Sequence, residues 1–107
     1  MKLKVLGIAS PHGTKVHNCP GFFITDENSK ILLDCGSGTH KLLSFPSDLN
    51  NLSVIISHLH RDHYNDIYNI QYSAFVYHNQ KRIERPINIY LPSTPFDKHE
   101  DIIKEEY

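Results

Sequence analysis

Cysteine is scarce in this 107-residue chain: Cys19 and Cys35 are the only two. That excludes a disulfide framework, and their spacing is not the Cys-x-x-Cys of a redox dithiol. Both thiols are expected to be reduced, as in a cytosol. No apolar run approaches the length that crosses a bilayer. The opening Met1-Lys2-Leu3-Lys4-Val5-Leu6-Gly7 lacks the apolar stretch of a signal peptide. A soluble, cytoplasmic protein without a membrane partner is the expectation. Excess charge is missing too: 11 Lys and Arg face 12 Asp and Glu, a formal net charge of −1. A basic tail for polyanions and global disorder are therefore both excluded. A nucleic-acid substrate is not, because a local metal cluster attracts phosphate on its own. Repeats and low-complexity segments are absent. The length allows one domain at most, and a compact globule of this size buries about two-thirds of its unfolded surface.

Histidine, by contrast, is abundant, with eight in the chain. Three of them fall in His58-Leu59-His60-Arg61-Asp62-His63, directly after the apolar run Val54-Ile55-Ile56. His12, His17, His40, His78 and His99 are scattered singly and read as surface or core filler.

The pattern along the chain predicts a mixed sheet with helices mainly on one face, an α/β (α+β) architecture in the order β-β-β-α-β-α-β-α. Leu3, Val5, Leu6 and Ile8 form the first strand. Phe22-Phe23-Ile24 and Ile31-Leu32-Leu33 follow, joined by the hairpin chemistry of Thr25-Asp26-Glu27-Asn28-Ser29. Residues 39–45 read as a short helix ended by Pro46. The continuous run Val54-Ile55-Ile56 reads as a strand buried on both faces. From about Asp62 the period becomes helical, with Ile67, Ile70, Ala74 and Tyr77 on one face. Tyr64, Tyr68 and Tyr72 form a second row, read as packing, with ligand stacking as the alternative. Ile87-Asn88-Ile89-Tyr90-Leu91 returns to a strand, and Thr94, Pro95 and Asp97 open a last helix.

The histidine run carries the chemistry. In extended geometry His58 and His60 project the same way, so two neutral imidazoles can bind one ion. If the chain turns into a helix at Asp62, that carboxylate and His63 face a second position. Two ions a few ångströms apart is the natural reading. A catalytic zinc keeps about three protein ligands, and this stretch supplies two per ion. At least one further ligand per ion must come from elsewhere, and no second cluster lies between Tyr64 and Tyr107. Lys15, Lys81, Arg82 and Arg85 could grip a phosphate backbone or merely form solvated surface.

These residues resemble the N-terminal half of a metallo-β-lactamase-fold hydrolase, an αββα sandwich. Three landmarks match in order: the opening strand and loop, the Asp-x-Gly turn in Leu33-Asp34-Cys35-Gly36-Ser37-Gly38, and His58-x-His60-x-Asp62-His63. The loop 7–18 and the segment around Asp66-Ile67 and Ile70-Gln71-Tyr72 look most like the ribonuclease Z-like phosphodiesterase branch. The resemblance implies a pair of divalent ions, zinc as a rule with manganese and iron as alternatives, activating a shared hydroxide. His58 and His60 would bind the first ion, and Asp62 and His63 the second. Asp62 would also take up a proton in catalysis. Asp34 would be a near-site structural carboxylate orienting the ligands, with a plain turn residue as the other reading.

The implied function is metal-dependent hydrolysis, first of a phosphodiester in RNA, another nucleic acid or a nucleotide. A lactone, thioester or β-lactam is the alternative substrate class. The family's remaining ligands, a later His, a bridging Asp and a final His, fall outside these residues. The expectation is thus of one domain, 1–107, truncated and inactive alone. Half a sandwich exposes one sheet face, so a homodimer or a complementary C-terminal half is the expected partner.

Overall fold

The structure is a computed structural model and describes residues 1–92. The last helix expected from Thr94 lies outside the described residues. Five strands form one mixed sheet in sequential order: β1 (Lys2–Gly7), β2 (Gly21–Thr25), β3 (Lys30–Cys35), β4 (Leu52–Ile55) and β5 (Asn88–Tyr90). β1, β2 and β3 form an antiparallel meander, and β3, β4 and β5 run parallel. The parallel pairs need crossovers. Two helices, α1 (Arg61–Tyr64) and α2 (Ile67–Asn79), make the crossover from β4 to β5.

Side-chain alternation sorts the sheet into two unlike faces. On one, Phe23, Leu32 and Val54 stand side by side in register and are buried, together with Leu52 and Ile56. Ile67, Ile70 and Ala74 of α2 join them in the core, as their helical spacing predicts, and Tyr77 packs at its margin. Leu32, Val54, Ile67 and Ile70 are wholly buried, each contributing roughly 1.5–3 kcal/mol relative to exposure.

The other face carries a continuous apolar row, Val5–Phe22–Leu33–Ile55–Tyr90, and beside it Leu3–Ile24–Ile31. Val5 is 55% exposed and Ile55 37%. β4 is therefore buried on one face only, among the described residues. The expectation of two-sided burial fails because Ser53 and Ile55 point to the uncovered side.

Three further local readings are corrected, at residues 39–45, at the helix expected from Asp62 and at the tyrosine row. Residues 39–45 do not form an α-helix. They make a single 3-10 turn at His40–Leu42, with a second at Ser47–Leu49. The chain leaves the helical region at Leu43 (φ −84°, ψ 151°), and the Thr39 hydroxyl donates back to the Gly36 carbonyl at 2.8 Å. The helix expected from Asp62 is broken at Asn65 and Asp66, where the Asp66 N–H donates to Cys35 O at 2.9 Å. The tyrosine row also divides: Tyr64 is buried, whereas Tyr72 is 64% exposed and lies beside Phe75.

Candidate metal centre

Because β3 and β4 are parallel neighbours, the turns leaving them emerge at the same end of the sheet. The first turn carries Asp34 and Gly36, and the second carries Ser57 to His63. Asp34 takes a left-handed conformation, φ 59°, one that Asp tolerates better than most residues. This swings its carboxylate against the second turn. Gly36 has no alternative: a Cβ there would lie 2.1 Å from Asp62 O and 2.4 Å from Cys19 Cβ. The Asp-x-Gly pattern thus joins a bent carboxylate to a close backbone approach. Asp34 is thus a residue of the bend whose carboxylate also reaches Ser57 and His63.

After β4 the chain bends at Ser57 and His58, His60 is extended (φ −99°, ψ 144°), and α1 begins at the next residue. The rings of His58 and His60 lie together, centroids 4.7 Å apart, edge to face. The turn into α1 brings His63 back so that its ring centroid is 3.9 Å from that of His58. His63 Nε2 lies 3.3 Å from Asp62 Oδ2. All four residues singled out by their spacing are gathered in one place.

Asp34 anchors the group from below. Its Oδ1 accepts from the Ser57 N–H at 2.7 Å, and its Oδ2 accepts from the Ser57 hydroxyl at 2.7 Å and from His63 Nδ1 at 2.7 Å. A carboxylate orienting an imidazole through Nδ1 is the arrangement that leaves Nε2 bare for a metal. Asp62 has its own support: the Ser10 hydroxyl donates to Asp62 Oδ2 at 2.7 Å. That bond, ahead of the partial burial that opposes it and the nearby His63 that assists it, holds the Asp62 carboxyl below its ordinary range.

Asp66 fastens the base of the site. Although it stands at the start of α2, its carboxylate does not cap that helix. Its Oδ2 accepts from the N–H groups of Gly38 and His40, both at 3.0 Å, and Oδ1 accepts from Asn69 at 3.2 Å. Cys35, wholly buried behind the turn, has its thiol pushed up by burial and then by the Asp66 and Asp34 carboxylates. Cys19 is pushed up by burial as well, and neither cysteine is in a disulfide.

The donor set fits divalent metal in chemistry and partly in geometry. Two ligand atoms on a tetrahedral zinc with bonds of about 2.0–2.1 Å stand roughly 3.3–3.4 Å apart, which the Asp62–His63 pair matches. Yet among the described residues no three His, Cys, Asp or Glu side chains form a group able to hold an ion. The His58 ring lies nearer that of His63, 3.9 Å, than that of His60, 4.7 Å. Arg82, one of the candidate phosphate-binding cations, instead lies over the Tyr77 ring, 4.9 Å from its centroid.

Two residues of the site escaped sequence reasoning. Ser57 had a faint signal, since it directly precedes the motif at a strand end. Ser10 had none, being 52 positions from its partner.

A sheet of this topology, with the Asp-x-Gly turn and the histidine motif at its parallel end, defines the N-terminal half of a metallo-β-lactamase fold. The metallo-β-lactamase-fold protein YhfI of Bacillus subtilis superposes with a TM-score of 0.78 at 26% identity, over 98% of this chain and 42% of YhfI. Residues 1–98 match the family model described as anti-Pycsar protein Apyc1, and the chain belongs to that family. It is also similar to ribonuclease Z of Methanococcus maripaludis, 32% identical over 111 residues that span 100% of this chain and 34% of the relative. Ribonuclease Z of Saccharolobus solfataricus is 38% identical over 60 residues, 54% of this chain and 21% of the relative. The chain thus spans about a third or less of these curated relatives. Among the described residues, no helix is long and apolar enough to cross a membrane.

Proposed function

We propose that this chain forms the N-terminal part of a dinuclear metal-dependent phosphodiesterase acting on RNA or a nucleotide. The observation that supports it most is the gathering of His58, His60, Asp62 and His63 above the Asp34 carboxylate. In this reading His58 and His60 hold one ion, and Asp62 and His63 the other. Zinc suits imidazole and carboxylate donors, with manganese or iron as alternatives. The ions, when bound, activate water near neutral pH and neutralise charge developing on the attacked phosphoryl group.

The protein's own part is placement. Asp34 presents His63 through its Nδ1, and Ser10 occupies one Asp62 oxygen so that the carboxylate cannot swing away. Asp62 also accepts a proton in turnover. The ligands still lacking come from the second half of the sandwich, which would cover the apolar sheet face as well. Residues 1–107 then count as part of one domain, in the cytoplasm. The ribonuclease Z relatives favour a phosphodiester over a lactone, thioester or β-lactam, all of which one metal core can serve.

The test is hydrolysis of bis(p-nitrophenyl) phosphate by the full-length protein, with metal content measured by elemental analysis. Activity should vanish on chelation and return with Zn²⁺ or Mn²⁺. Asp62→Asn should lower kcat by about a hundredfold or more while KM moves little. Activity that survives complete metal removal would overturn the reading, as would an equal loss in kcat and affinity for the role of Asp62.

A further inference from the structure

Ser57 contributes two separable things to the site. Its backbone N–H donates to Asp34 Oδ1 at 2.7 Å, a bond that any residue at this position would keep. Its hydroxyl touches two groups, Asp34 Oδ2 at 2.7 Å and His58 Nδ1 at 3.0 Å. The ionised carboxylate can only accept, so the single hydroxyl proton goes to Asp34. Towards His58 the serine oxygen then offers only lone pairs. The contact becomes a hydrogen bond when His58 carries its proton on Nδ1, which leaves Nε2 bare. His63 follows the same rule without an intermediary, its Nδ1 donating straight to Asp34 Oδ2 at 2.7 Å.

We propose that Ser57 is a positioning residue that relays the Asp34 carboxylate to His58. One carboxylate thereby sets the tautomer of an imidazole in each ligand pair: His63 directly and His58 through a hydroxyl. Its use in metal binding rests on the function proposed above, whereas the tautomer preference does not. Both ligand pairs are prepared from a single anchor, so the two ions bind to imidazoles already in the required form. His58 is exposed, and water competes for Nδ1, so the bias is modest. The net worth of one hydrogen bond corresponds to about a fivefold change in tautomer ratio.

The experiment is long-range ¹H–¹⁵N NMR of the imidazoles in the full-length, metal-free protein with neutral rings, followed by zinc titration against a competing chelator. In the wild type His58 should favour Nδ1–H. Ser57→Ala should move its ratio about fivefold towards Nε2–H while His63 stays unchanged, and Ser57→Thr should restore it. Zinc affinity should fall by up to about fivefold in Ser57→Ala, the limit set by the tautomer shift, and recover in Ser57→Thr. A His58 ratio identical in wild type and Ser57→Ala would overturn the relay. So would His63 shifting along with His58, because that reports collapse of the Asp34 turn. A full-length wild type that binds no zinc while His58 still follows Ser57 would sink the metal reading and leave the relay standing.

Discussion

Replacing Gly36 by alanine tests whether the Asp-x-Gly turn and the Asp62 backbone are truly in contact. The added methyl would meet Asp62 O at 2.1 Å and Cys19 Cβ at 2.4 Å. Ordinary contact begins near 3.4 Å, so the Asp62 carbonyl must retreat by about 1.3 Å or the β3 turn must. Neither is free to do so. The turn is tied to Asp66 through Gly38 and His40, and Asp62 is tied to Ser10. Overpacking of this kind costs roughly 1–3 kcal/mol, and the lack of any yielding side chain places Gly36→Ala at the upper end, about 3 kcal/mol. For a domain of this size that is a fall in Tm of roughly 12–24 °C. Gly13→Ala is the control, because its methyl would meet its nearest neighbour, His17 O, at 3.1 Å. Thermal unfolding by circular dichroism, with both variants measured beside the wild type, decides it. A Gly36→Ala protein melting within about 3 °C of the wild type would refute the close approach.

Two other outcomes follow from buried groups. Burial raises the Cys35 thiol above its unfolded value, so the stability it confers is complete below about pH 8.5 and declines as pH rises towards the folded value. The unfolding free energies of wild type and Cys35→Ala should converge by about 1.4 kcal/mol per pH unit above pH 9, and parallel curves would contradict this. Asp66→Ala removes the acceptor for two backbone N–H groups and should cost about 2–3 kcal/mol in urea denaturation with an unchanged m-value. A loss below about 0.5 kcal/mol would show that water replaces the carboxylate.

The parts legible in the sequence were those governed by local spacing. The apolar runs at β2, β3 and β4, the three- and four-residue spacing of Ile67, Ile70 and Ala74, and the crowding of His58 to His63 each depend on neighbours along the chain. The misreadings arose where a distant partner decides. Ile55 looked buried because its neighbours are apolar, and only the sheet shows which face has a helix over it. The helix expected from Asp62 was interrupted because Cys35 O, far back in the sequence, takes the Asp66 N–H. Residues 39–45 had helical composition, but the His40 N–H is taken by Asp66, 26 positions away, and Leu43 turns extended. Ser10 could not be found at all, since nothing along the chain marks a loop hydroxyl as the partner of a carboxylate 52 residues away.

The parallel pairing of β3 with β4 runs Lys30–Leu52, Ile31–Ser53, Leu32–Val54 and Leu33–Ile55. Slipping β4 by one residue would carry Ser57 roughly 3.3 Å along the strand, beyond reach of Asp34. The same slip would turn Leu52, Val54 and Ile56 out of the core and Ser53 and Ile55 into it. Hydrophobic sorting several residues from the cluster therefore acts as a ruler for the donors, and selection for a well-filled interior is at once selection for the alignment of the imidazoles.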